Sequence, residues 1–369
     1  MPSTGAETAI PAPSTADFLL RCARSPDRFF YPCNAKHREP RRCSFSFHGK
    51  SAGHSVTVSV DECEYGEGGT GWRVWPCALL LACWLAANDS HLGNGSVHVL
   101  EIGCGLGLPG LTAAALGAER TVLSDCLPVL LRKLCESVHS NSEACRSTTV
   151  AMLDWDMEVP SMASSAETAD EQFSTEQGIK SAQLASEPTT TSDRVRSGAR
   201  ALESAPRLDR HETFDLLLAS DVVYSMRHAH LLPAVVRGRL RTGGRFAAMV
   251  PVRSEAHTRR FLCGLLAQEL RVLVSRVDSS WIEGVTSVQR ARTDGTPRPT
   301  ADMDASEWTQ LVAANGKPFW HHHETKRSIW TDPAHAAQWR QAAVPFTADM
   351  PLREGEILFV DALLNEQRR

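Results

Sequence analysis

The stretch VHVLEIGCGLGLPGLTAAALGAERTVLSD, residues 97–125, decides the fold. VHVLEIG is a short, apolar, β-rich run and reads as a buried strand. It passes directly into CGLGLPG and then into the helix-forming LPGLTAAALGA, and RTVLSD reads as a second strand. A strand, turn, helix and strand in such quick succession form a crossover unit, which implies a parallel sheet. Gly103, Gly105 and Gly107 carry no side chain, so their backbone can come close to a ligand. Taken alone, such a turn fits dinucleotide sheets, phosphate loops, methyltransferases and plain structural turns equally.

The same alternation extends on both sides. Downstream, PVLLRKLCESVHSN reads as a helix and STTVAMLDW as a third strand. After a gap, FDLLLASDVVY, RFAAMVPV and LRVLVSRVD read as strands separated by the helices RHAHLLPAVVRGRL and SEAHTRRFLCGLLAQE, and EILFVDALL is the last strand. Upstream, RCSFSF and SVTVSV alternate in polarity and predict a hairpin joined by HGKSAGH, followed by a buried helix over WPCALLLACWLAAN. Between Ser161 and Arg210 the only aromatic residue is Phe173. Residues 156–212 are therefore expected to be a disordered surface insertion, since they cannot bury enough to offset their ordering entropy. The predicted layout is an N-terminal tail over 1–40, an α/β domain over 41–303, a small β module over 304–337 and a return segment over 338–369.

Composition narrows the function. A net charge of −4 gives no electrostatic reason to expect nucleic acid or an anionic membrane as partner. Eleven cysteines, an odd number with no CxxC pair, suit reduced thiols inside a cell, so cytoplasm or nucleus is expected. The start, MPSTGAETAIPAPSTADF, lacks the charged and apolar regions of a secretory signal. CALLLACWLAA is shorter than the roughly 20 residues a membrane span needs.

Acidic residues around the turn point to a ligand. Asp125 ends the second strand, where a carboxylate can accept from ribose hydroxyls. Glu101, just before the turn, would repel a pyrophosphate but suits a cationic ligand or an amino group. Pro109, near the helix start, has no N–H to give a phosphate. Together these favour S-adenosylmethionine over a dinucleotide.

VLEIGCGLGLPGLTAAALGA, with GWRVWP before it and TVLSD, LDW and ASDVVY after it, resembles the family-16 branch of seven-strand methyltransferases. That branch is best known for methylating lysine in proteins, and some members use arginine or histidine. The likeness covers residues 41–155 and 212–278 and the terminal strand. It implies a Rossmann-like α/β sheet ordered 3-2-1-4-5-7-6, its last strand antiparallel, on which S-adenosylmethionine and a protein substrate meet. By position, Trp75 would contact the cofactor, and Gly103, Cys104 and Gly105 would pass its methionine and ribose parts. Asp125 would hold the ribose, Asp154 and Trp155 would border the adenine, and Ser220 would lie near the cofactor, beside the substrate entrance. Asp221 and Tyr224 match the family's D-x-x-Y tetrapeptide at the end of the fourth strand. Asp221 would orient the acceptor nitrogen and Tyr224 would line its channel.

A second motif lies at 316–333, GKPFWHHHETKRSIWTDP. Three consecutive histidines in a strand alternate between its faces, so they cannot close around one metal ion, and no metal site is expected. Asn315-Gly316 is a strong hairpin signal, preceded by Trp308. This pattern resembles a WW domain. The resemblance makes Trp308, Trp320 and Pro333 a structural buckle, and Phe319 and Trp330 the walls of a groove for a Pro-rich peptide, with His323 and Ser328 as polar contacts. Three features depart from the family: His322 replaces its structural asparagine, Phe319 its groove tyrosine, and the leading Leu-Pro before the first tryptophan is missing. The reading is thus a monomeric protein N-methyltransferase with a recruiting module. The alternatives are a small-molecule methyltransferase and an inactive adaptor working through the WW-like module.

Overall fold

The computed structural model describes residues 8–10, 42–49, 55–92, 96–159, 205–278, 281–282, 308–312, 318–322, 328–329 and 343–364. In chain order, strands β1 (Thr8–Ile10), β2 (Arg42–His48) and β3 (Ser55–Asp61) precede helix α1 (Pro76–Ala87). The crossover core follows as β4 (His98–Ile102), α2 (Leu108–Ala115), β5 (Arg120–Asp125), α3 (Pro128–Ser140) and β6 (Thr148–Met152). Then come β7 (Phe214–Ser220), α4 (Met226–Arg239), β8 (Leu240–Pro251), α5 (Glu255–Ala267) and β9 (Leu270–Arg276). The chain closes with β10 (Trp308–Val312), β11 (Pro318–His322), β12 (Ser328–Ile329), β13 (Val344–Pro345) and β14 (Ile357–Leu364).

The main sheet is ordered β13-β9-β14-β8-β7-β4-β5-β6. Counted from β4, seven of these strands read 3-2-1-4-5-7-6, and β13 adds an edge strand to β9. β4, β5, β6, β7 and β8 pair in parallel, while β14 runs antiparallel to both β8 and β9. Strand period then sorts the core. Leu216, Leu218, Ala247 and Met249 face a layer that includes α1, α2 and α3, while Leu217, Ala219, Phe246 and Ala248 face the α4–α5 side. Such fully covered strands read as continuous apolar runs.

α1 is apolar all round because it is enclosed: every residue except Ala78 is buried. Together with the preceding turn, Gly66–Ala87 is long and apolar enough to cross a membrane by length and composition, but two-thirds of that window lies inside the fold. β2 and β3 pack over this layer through Phe45, Phe47, Val58 and Val60.

Two expectations are corrected. The hairpin of β2 and β3 carries a third strand, because β1 pairs with β2 in parallel within the segment expected to be a tail. Nothing in the short TAI sequence of β1 signals that distant pairing. The insertion expected over 156–212 is also ordered at both ends. Trp155–Glu158 forms a helical turn, and Met152 exchanges backbone bonds with Pro206 and Leu208 at 2.8 and 3.0 Å. Residues 160–204 lie outside the described residues.

Arg239 clasps those ends. Only 1% exposed, it donates to Glu158 Oε2 at 2.7 Å and to the carbonyls of Asp209 and Glu212. Replacing it leaves a carboxylate and two carbonyls without their donor. Arg239→Met should therefore lower stability by about 3–5 kcal/mol, measured as a shifted urea midpoint with the native fold retained in buffer.

Candidate functional site

The turn after β4 is held in a backbone shape that few residues adopt. Gly103, Gly105 and Gly107 have φ of 60°, 55° and 75°. At Gly103 an added Cβ would lie 3.0 Å from Trp155 Cζ2 and 3.1 Å from Val222. Two carboxyl groups catch the amides that this turn exposes: Asp125 Oδ2 accepts from Gly105 N at 3.1 Å, and Glu101 Oε2 accepts from Gly110 N at 2.8 Å.

Around this turn lies a cavity of about 790 Å³. Gly103, Cys104, Gly105, Asp125, Asp154, Trp155, Ser220, Asp221, Tyr224 and Trp75 all line it. The cavity sits beyond the carboxyl ends of β4, β5 and β7, where open α/β sheets hold ligands. Asp125 and Asp221 thus share one space.

Each side chain has a definite anchor. Trp75 caps α1, and its indole N–H donates to the Thr70 carbonyl at 2.7 Å. Asp125 Oδ1 accepts from the amides of Cys126 and Leu127 at 2.8 and 3.1 Å. A carboxylate offers about four acceptor positions, so three of them are used and one on Oδ2 is left for a ligand hydroxyl. Burial pushes the Asp125 carboxyl above its ordinary range, against the pull of those amides. Asp154 caps the turn that carries Trp155 by accepting from Asp156 N at 3.1 Å.

Glu101 is fully buried and lies outside the cavity lining, with its Oε2 engaged by the turn. Its Oε1 has no partner among the described residues. Burial pushes the carboxyl up to about 8, the neighbouring Asp125 adding to the effect. Glu101 is therefore largely neutral at physiological pH, and the cationic partner predicted for it is not required.

Around Asp221 and Tyr224 the cavity also contains residues that local sequence did not single out. Asp221 has φ 55°, a left-handed conformation unusual outside glycine, with its N–H donating to the Met249 carbonyl at 2.9 Å. Arg253, just past β8, grips both of its oxygens, Nε to Oδ1 at 3.0 Å and Nη2 to Oδ2 at 2.6 Å. Burial raises the Asp221 carboxyl and Arg253 opposes the rise. Tyr224 stands edge-on to His228, with ring centroids 4.2 Å apart, and Trp155 meets the same imidazole edge-on at 5.1 Å. Burial holds the Tyr224 phenol at about 12 and depresses His228 to about 4, so both are neutral over the physiological range.

The run GEGGTG at residues 66–71 was the missed signal for the opposite wall. A Cβ on Gly71 would meet Leu130 at 2.4 Å and Gly105 Cα at 3.3 Å, so two glycine-bearing turns lie back to back. Arg253 offers no comparable signal, because its partner is 32 positions away along the chain.

In the second motif, β10, β11 and β12 form an antiparallel three-stranded sheet. Its register aligns Trp308 with His322, Leu311 with Phe319 and His321 with Ser328. His323 and Trp330 lie outside the described residues, so the predicted groove is represented by the backbone of Phe319 and Ser328.

Comparison with known proteins places both parts. Residues 55–171 match the lysine methyltransferase family, and residues 305–333 match the WW domain. The chain is similar to protein N-lysine methyltransferase METTL21A of Xenopus tropicalis, 30% identical over 114 residues, covering 30% of this chain and 51% of the relative. It is similar to histone-arginine methyltransferase METTL23 of Xenopus laevis, 43% identical over 71 residues, covering 19% of this chain and 27% of the relative. Protein-lysine methyltransferase METTL21E of Mus musculus is 34% identical over 92 residues, covering 25% of this chain and 35% of the relative. The chain thus spans about half the length of the first of these relatives and less of the others.

Glu101 links the turn to pH. Its folded value near 8 lies above the ordinary 4.5, so the stability it contributes is complete below 4.5 and is lost as pH rises toward 8. That loss should be of the order of 3–5 kcal/mol. Glu101→Gln keeps an acceptor for Gly110 and cannot ionise. It should flatten the decline, and urea titrations from pH 5 to 8.5 on both proteins would show the wild-type curve falling away from that of the variant.

Proposed function

We propose that this chain, whose residues 55–171 match the lysine methyltransferase family, is an S-adenosylmethionine-dependent protein N-methyltransferase with a lysine amine as its acceptor. The observation that carries the reading is the single cavity shared by the glycine turn, Asp125 and the Asp221–Tyr224 corner. The lining fits the cofactor. The left-handed glycines leave room for a chain of atoms against the backbone, and Asp125 keeps one acceptor position beside them. Asp154 and Trp155 offer a carboxylate and an indole to a purine.

The chemistry a bound cofactor supplies is an activated methyl: the amine lone pair forms the new N–C bond, and the C–S pair returns to sulfur. The chain's own task is alignment and the exclusion of water. Lysine must first lose a proton, which costs about 4.6 kcal/mol at pH 7 from a reference value near 10.4. A walled cavity reduces that cost, because burial disfavours the ammonium. Tyr224, Trp155 and His228 supply neutral walls there, while Ser220 and Asp221 sit at the acceptor end.

One observation favours a second acceptor, arginine: the METTL23 relative, a histone-arginine methyltransferase, has the higher identity, 43% against 30%, over its shorter match. For the β10–β12 unit we assign capture of a Pro-rich segment in a partner, supported by its match to the WW domain and by its three-stranded register. Cytoplasm or nucleus is the proposed location, and a monomer the proposed state.

Two substitutions separate the halves of the cavity. Asp221→Asn should reduce methyl transfer to lysate proteins at least a hundredfold while calorimetric cofactor affinity stays within about threefold. Asp125→Ala should weaken cofactor binding by about 10- to 100-fold. Joint loss of binding and transfer in Asp221→Asn would remove Asp221 from the acceptor end. Mass spectrometry of labelled proteins would identify lysine or arginine as the site.

A further inference from the structure

Asp221 and Arg253 are brought together by the sheet. β7 and β8 are parallel neighbours, with Ser220 opposite Met249, so the residues just beyond them meet over the cavity. Arg253 engages both carboxylate oxygens, and the pair is shielded, with side-chain exposures of 9% for Asp221 and 21% for Arg253. The guanidinium also lies 6.0 Å from the Trp75 ring centroid, on the cavity wall. A bidentate guanidinium leaves the carboxylate hydrogen-bonding capacity but little net charge.

The groups facing this pair come from several elements. Cys77 approaches from the first turn of α1 and is held as a thiol by burial. Tyr224 approaches from the turn after β7 and His228 from α4 behind it, both neutral near pH 7. Arg73 lies across the Trp75 ring at 5.6 Å. Among the described residues, Arg253 is the one that directly compensates Asp221.

That compensation bears on the acceptor. A lone carboxylate about 4 Å from an ammonium raises its proton affinity by on the order of a thousandfold at a half-buried site. Such an Asp221 would draw in protonated lysine and hold it protonated, which stops transfer. We propose that Arg253 is a positioning residue that keeps Asp221 charge-compensated, so that the pocket receives the acceptor as a neutral amine whose proton has already passed to solvent. This rests on the reading of Asp221 as the acceptor-facing carboxylate given above. The selected ligand is a neutral primary amine, and Asp221 orients it by hydrogen bonding instead of trapping it as a cation.

The test uses the full chain in two arms. In the first, without cofactor, n-butylammonium is titrated at pH 7 by calorimetry. Arg253→Gln should bind it about tenfold or more tighter than wild type, and the gain should vanish in the Arg253→Gln/Asp221→Asn double variant. In the second, transfer from labelled S-adenosylmethionine to a pool of lysine peptides is followed from pH 6.5 to 10. Arg253→Gln should lose activity at neutral pH and recover it with an optimum about one unit or more higher, whereas Arg253→Lys should keep the wild-type optimum. Unchanged butylammonium affinity with an equal loss at every pH would overturn the proposal and make Arg253 a brace. A displaced optimum in Arg253→Lys would overturn it too, and that variant covers the case in which Arg253→Gln does not fold. A wild-type chain that methylates no peptide would refute the reaction, while the butylammonium arm would still decide the role of Arg253.

Discussion

The left-handed turn after β4 is the constraint on which the rest depends. With φ of 60°, 55° and 75° at three alternate residues, the chain turns sharply enough to leave a hollow at the end of the sheet. A non-glycine residue would cost about 1–2 kcal/mol at each position before any collision is counted. At Gly107 an added Cβ would also come within 2.7 Å of Leu134 and 3.0 Å of Leu123. The shape that accommodates a ligand is therefore the shape that lets α2 lie against β5 and α3. Glu101 and Asp125 reach the turn from adjacent strands and accept its exposed amides, so cavity floor and core packing form one unit.

Acids cluster around the glycine turn and its cavity, and four of them are compensated in different ways. Burial pushes the Glu101 carboxyl up to about 8, which favours its neutral form. Asp125 is held by three backbone amides, a partial positive field without a formal charge. Asp156 pairs with Arg227 at the more exposed rim, and Asp221 with Arg253 in the shielded interior. A bare carboxylate in such a place would cost several kcal/mol, so the pattern is what burial requires. The pattern also grades the cavity from amide-bound acid at the glycine turn to ion-paired acid at the Asp221 end. These two ends differ in what they can hold.

Much of this was legible in the sequence because it is local. The strand–helix alternation, the glycines, and the acids that end β5 and β7 carry their signals within a few residues of one another. The order of the sheet entered through resemblance, not through periodicity. What escaped depends on pairings across the chain. Arg253 has no local signature, and its meaning appears only when β8 lies beside β7. Glu101 was read as ligand-facing because it borders the turn, yet strand alternation points it to the helix side, where Gly110 meets it. The three residues of β1 were too few to register as a strand.

The same topology explains where the two long inserted segments leave the domain. β8 and β9 flank β14 and both run antiparallel to it, so the end of β9 lies at the same edge of the sheet as the end of β8, where Arg253 stands. Val277 bonds to the Ile357 carbonyl at 2.8 Å, which fixes that exit point and the start of β14 together. The chain holding β10, β11 and β12 therefore departs from the cavity end of the sheet. The segment after Val159 departs from that end too, since Met152, at the end of β6, pairs with Arg207 on its return. Both inserted segments thus leave the sheet at the end that holds the cavity.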